Sequence, residues 1–279
     1  MNGHPEIICG LERFSPTTDF TKVSFPQSFF DPSFPTQRGG ARRVHTLINE
    51  RSKVSLAGDK TPTFYLHLDA VMQGIAGKKG IVTLRDPNEM VQAGPARPRP
   101  GGDGGGGEAV PRLAILGALA LPVSLGAALT CPEGRFLAVP HGAFAADTAR
   151  LAAEVVRFLD PAVESAVTLP ETAAPQTGAA EAPGTPAPLA LEAAALVSSP
   201  ALAELLARPS TFEVGAAAGA LTDWLRSIPA DFLDQAQHLT GTDGTSGANI
   251  KIEQWLTAHR AAWTRILDAL ADGRPRPVA

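Results

Sequence analysis

The chain has 279 residues, 44% of them hydrophobic, and a formal net charge of −4. That length supports one large domain or two small ones with a sizeable core, and the mild acidity argues against nucleic acid, whose binders carry a basic patch. The two cysteines, Cys9 and Cys131, have no CxxC or Cys/His companion. This excludes a disulfide framework or zinc ribbon as the organising device and fits a reducing compartment, the cytoplasm.

The opening MNGHPEIICGLERF has no basic start leading into an apolar run, so it does not read as a signal peptide. Residues 1–40 read as an extended Phe/Pro-rich arm, with Phe14, Phe20, Phe25, Phe29, Phe30 and Phe34 interleaved with Pro, Ser and Thr. Proline removes backbone donors and restricts its predecessor, so no helix runs here, while the rings favour burial. Such an arm lays its rings into pockets, either of its own domain or of another subunit.

Residues 41–92 read as a strand-rich unit. Over 61–71 the sequence alternates, with Phe64, Leu66 and Leu68 on one face of a predicted strand and Tyr65, His67 and Asp69 on the other. Glycines 74, 77 and 80 follow, then IVTL as a further strand that stops at Asp86 and Pro87. Residues 93–110 are a Gly/Pro linker, too poor in apolar surface to offset its ordering entropy.

Residues 111–169 read as an α/β unit. PRLAILGALALP is a predicted buried strand and RFLAVP a second. Leu151, Val155, Phe158 and Leu159 then mark an amphipathic helix ended by Asp160 and Pro161. The uncharged run 113–130 barely reaches spanning length and contains Pro122, so it reads as core and not as a membrane span. Residues 170–188 form a Pro/Ala linker.

The remainder, 189–279, reads as helical. Two short helices meet at Pro200, with Ser199 as N-cap. An Ala-rich helix has Leu221, Trp224 and Leu225 as its apolar edge, and a short helix follows Pro229. In the last helix Ile252, Leu256, His259, Trp263, Ile266 and Leu270 step by four and three, and Gly273 and Pro275 end it. The predicted fold class is α/β, with α+β as the alternative: a small mixed sheet, flanking helices, a helical C-terminal part and an N-terminal arm.

Candidate chemistry is sparse. His67 and Asp69, on one strand face, offer a metal or acid–base pair without further ligands. GIAGKKG offers backbone amides with Lys78 and Lys79 for an anion, but Met72 and Lys79 stand where a P-loop needs Gly and Ser/Thr. A hairpin turn with lysines facing water is the simpler reading. His141 and Gly142 sit where a strand hands over to a helix. His259 reads as a core or interface histidine, and Trp224, Trp255 and Trp263 as packing residues. No catalytic residue, cofactor or metal ligand is assigned.

The order of pieces from Arg112 onward resembles the small subunit of the contractile sheath of type VI secretion systems. The corresponding pieces are a strand at 112–117, a strand at 136–139 running through Phe144 into a helix over 145–159, and the leucine-rich 202–208 followed by Pro209, Ser210, Thr211 and Phe212. Arg43, Val44, His45 and the 63–71 strand are similar to that family's opening strands. The resemblance implies a non-enzymatic, oligomeric subunit that pairs with a larger sheath partner, polymerises around an inner tube and exchanges terminal strands.

The leading expectation is therefore a structural assembly protein, sheath-like or baseplate-associated, with a protein partner and no nucleic acid. Its partner-binding residues would be the arm phenylalanines. The alternatives are an α/β enzyme using His67, Asp69 or His141, and a helical module that docks a partner through Trp255 and Trp263.

Overall fold

The computed structural model describes residues 7–11, 56–60, 64–73, 79–92, 106–131, 135–162, 188–239 and 247–274. The arm phenylalanines lie outside the described residues. Strands β1 (Ile7–Leu11) and β2 (Leu56–Lys60) pair in parallel, with Ile7 opposite Leu56 and Leu11 opposite Lys60.

The predicted strand over 61–71 is instead a 3-10 turn, Phe64–His67, continuing into helix α1 (Leu68–Gln73). Leu66 and Met72 are buried in the main core, and Tyr65 and Leu68 pack against it. Positions 65, 66, 68 and 72 lie on one side of a helical path, whereas a strand would split them between two faces. Tertiary packing thus overrides a short alternating run.

Next come β3 (Lys79–Leu84), α2 (Pro87–Gln92) and α3 (Gly106–Thr130). The predicted strand at 111–117 is part of α3, and so is the end of the predicted linker, 106–110. Apolar periodicity cannot separate a fully buried strand from a buried helix; length and composition must. The run is long, and it is rich in Ala and Leu, which favour helix, and poor in the β-branched residues that favour strand. Pro122 cannot donate to the carbonyl of Ala118, so the helix tolerates one missing backbone bond.

The chain then forms β4 (Arg135–Pro140), α4 (His141–Ala146), α5 (Thr148–Leu159), α6 (Pro188–Val197), α7 (Pro200–Leu206), β5 (Phe212–Glu213), α8 (Ala218–Ser227), α9 (Phe232–Leu239) and α10 (Gly247–Ala271). The fold is mostly helical with a small mixed sheet, of the α/β or α+β class. The sheet has the order β3-β4-β5. β3 and β4 are parallel, as a strand–helix–strand crossover through α2 and α3 requires. β5 is antiparallel to β4, with Ala138 opposite Phe212.

The sheet has two covered faces. Val82, Leu84, Phe136, Ala138 and Phe212 face the main helical core. Ile81, Leu137 and Val139 face α5 through Val155, Phe158 and Leu159. The axis of the main core is α3, whose Ile115, Leu119, Val123 and Leu125 are at most 1% exposed. It touches α2, α6, α8, α9, α10, β3 and the 3-10 turn. Where α3 crosses α10, a Cβ on Gly126 would come within 2.8 Å of Ile266, so glycine sets that approach.

Several end signals hold as expected. Ser199 accepts from the N–H of Leu202 and caps α7 with Pro200 behind it. Gly273 takes the left-handed conformation, φ 74°, just after α10. No single helix among the described residues is long and apolar enough to cross a membrane. α6 and α7 together reach that length and composition but bend by 90° between them.

Gly80 sits opposite Phe136 in the parallel register, and a Cβ there would come within 2.3 Å of the Phe136 ring edge. Gly80→Val is expected to cost about 1–3 kcal/mol through overpacking. A thermal melt checks this, and an unchanged midpoint would mean that Phe136 does not cover Gly80.

Candidate functional site

The most buried polar side chain among the described residues is His259, 0% exposed on the core face of α10. Its neighbours on that stripe, Ile252, Leu256, Trp263, Ile266 and Leu270, are all buried, as the four-and-three spacing requires. An imidazole in such a stripe must bring its own hydrogen-bond partners.

It has them. Nδ1 lies 2.7 Å from the Trp255 carbonyl oxygen. A carbonyl only accepts, so Nδ1 carries the proton and Nε2 presents a lone pair. The Tyr65 hydroxyl, 2.6 Å away, donates to that lone pair. The Trp255 ring stacks on the imidazole at 3.4 Å and 21°, and Tyr65 meets it edge-on at 5.5 Å. Burial pushes the His259 pKa down to about 4, and the bond to the Trp255 carbonyl pulls it back only in part. Burial likewise pushes the Tyr65 hydroxyl well above its ordinary value.

Histidine and tyrosine are thus held neutral, each satisfied by the other. With both ring nitrogens committed, His259 cannot take a proton from a substrate without breaking one of these bonds. The cluster ties the 3-10 turn to α10, and Arg265 reinforces it by donating to the Leu66 carbonyl at 3.2 Å.

The strand expected to set His67 and Asp69 side by side is replaced by a helical path. His67 ends the 3-10 turn and Asp69 lies in α1. Of the glycine-rich anion loop, residues 74–78 fall outside the described residues. Lys79 does not face water alone: its ammonium donates to the carbonyls of Phe158 at 2.6 Å and Leu159 at 3.0 Å and lies 5.4 Å over the Phe158 ring. It closes the C-terminus of α5, where carbonyls lack helical donors and the dipole favours a cation.

His141 is exposed at the start of α4, directly after β4. Trp263, expected as a docking residue, is 2% exposed. Its indole N–H donates to the Ala230 carbonyl at 3.2 Å and its ring meets Phe232 edge-on at 5.0 Å. It is therefore a core residue, closed to a partner in this packing. Trp255 is half-buried on His259. Trp224 is packing, as its spacing implied.

Two features leave no local mark in the sequence. Tyr65, taken as a polar-face residue, is the partner of His259, 194 positions away. Arg85, between β3 and α2, has its Nε buried without a hydrogen-bond partner among the described residues. Among the described residues no group of three His, Cys, Asp or Glu could hold a metal ion. No protein-family model, curated protein or solved structure matches the chain.

Proposed function

We propose that the chain is a cytoplasmic structural assembly subunit that joins a protein partner, in the form of a sheath-like or baseplate-associated component of a contractile secretion apparatus. The observation that supports this reading is the edge of β3. Among the described residues only β4 pairs with that strand, so its outer N–H and C=O groups face away from the sheet. An edge strand can serve as a template for an incoming strand, the mode of union used by subunits that exchange terminal strands. The strand–helix step from β4 through α4 into α5 also supports it, by matching the resemblance noted above. Residues 112–117, being helical, lend that resemblance nothing.

The test is light scattering with negative-stain microscopy, on the full chain and on a chain lacking residues 14–34, each alone and with the proteins encoded beside it. Tubes, rings or a fixed heteromer are expected for the full chain and not for the shortened one. A full chain that stays monomeric and ignores its neighbours would overturn the assembly reading. Normal assembly by the shortened chain would remove the arm from it.

A further inference from the structure

We propose that the chain pairs with a second copy of itself through β3, joining two three-stranded sheets into one continuous sheet. This deepens the assembly reading above and rests on it. The two edges of the sheet differ. β5 is only Phe212–Glu213, and so short an edge offers little to an incoming strand. β3 runs from Lys79 to Leu84 in unbroken register with β4, without a bulge or a proline. Its one charge, Lys79, is drawn onto the carbonyls of Phe158 and Leu159 at the end of α5. Ile81 and Val82 are half-buried and Thr83 is exposed. β3 therefore lacks the devices that keep an edge strand solitary.

The partner follows from the register that β3 allows. Two copies related by a dyad perpendicular to the sheet pair antiparallel and keep their covered faces on the same side. Side chains directly opposite in an antiparallel pair share a face, so the dyad must fall on a residue. Centred on Ile81, it sets Ile81 against Ile81 of the second copy, Gly80 against Val82 and Lys79 against Thr83. The two isoleucines extend the small apolar cluster of Leu137, Val139 and Val155 across the dyad. Val82 of the second copy comes beside the Phe136 ring that covers Gly80, where β3 itself has no side chain. The two lysines stand at opposite ends of the paired segment, and no like charges meet. One step along, centred on Val82, the pairing would set Ile81 against exposed Thr83 and Lys79 against Arg85, a like-charge pair. Centred on Ile81, β3 is self-complementary, as an isologous contact requires.

The experiment is sedimentation equilibrium on the full chain alone, over a wide range of concentration. The smallest assembled species should have twice the mass of one chain. Thr83→Lys changes an exposed position, sets a second lysine against Lys79 at each end of the pairing, and should raise the dimer dissociation constant roughly tenfold. Thr83→Glu sets opposite charges there and should not weaken the dimer. A dimer indifferent to Thr83→Lys would use another surface and overturn the pairing. So would a natural chain that stays monomeric at every concentration. Adding the proteins encoded beside it separates the two readings. A monomer that joins them ends the self-pairing alone, and one that ignores them ends the assembly reading as well.

Discussion

Trp224→Ala is expected to lower the unfolding free energy by about 3–5 kcal/mol, the range for removing a buried tryptophan. Trp224 is 1% exposed, on the apolar edge of α8 with Leu221 and Leu225. Its indole N–H donates to the carbonyl of Val197, the last residue of α6, at 2.9 Å. The substitution therefore leaves a cavity and also strips a donor from a helix end that has few others. Urea unfolding followed by circular dichroism would show a lower midpoint at an unchanged slope. A loss below about 1 kcal/mol, the scale of a surface change, would mean that Trp224 is not buried against the end of α6 as described.

The second large effect is acid sensitivity centred on His259. Its folded pKa of about 4 lies below the ordinary 6.5, because burial disfavours the charged ring. Between those values the unfolded chain binds more protons than the folded one, so stability rises with pH. The contribution is complete above pH 6.5 and is lost as the pH falls toward 4. The slope reaches up to about 1.4 kcal/mol per pH unit, roughly 3 kcal/mol over the window. Urea midpoints taken at intervals from pH 7 to pH 4 should fall in step. His259→Leu, whatever its own stability, should remove this part of the slope. Parallel pH profiles for the two chains would contradict a neutral, buried His259.

Much of the helical half was legible because its signals are local. The stripe of α10, the Ser199 cap and the glycine after Ala271 and Asp272 each depend on residues within a turn of one another. β3 and β4 were legible as short apolar runs between turn signals. α3 does not announce itself as a helix because its half-buried stripe, Leu116, Ala120, Ser124 and Ala127, carries no charge to time its period, and only its Ala/Leu composition tells it from a strand. The 64–73 segment was misread because its alternation is short and its conformation is decided by partners on α3 and α10. Of the His259 cluster, the histidine was legible as a polar interruption of an apolar stripe. Tyr65 was not, since no local pattern announces a hydrogen bond across 194 positions. Arg85 was equally silent: an unpaired buried donor is a property of surroundings and not of sequence.

The placement of α3 also bears on how the chain is made. Its last residue is Thr130, while α6, α8, α9 and α10, which cover it, begin at Pro188 and the last of them at Gly247. During synthesis at about 5–20 residues per second, the apolar axis waits roughly 6–23 s between its own completion and the emergence of α10. Until α6 follows, α3 has only α2, β3 and the 3-10 turn among these partners to lie against, and α8 and α9 are added before α10 completes the cover. The nascent chain is therefore expected to be prone to association through this apolar surface until the later helices cover it. Faster translation of the segment between α3 and α10 would shorten the time in which the naked axis can find another copy of itself.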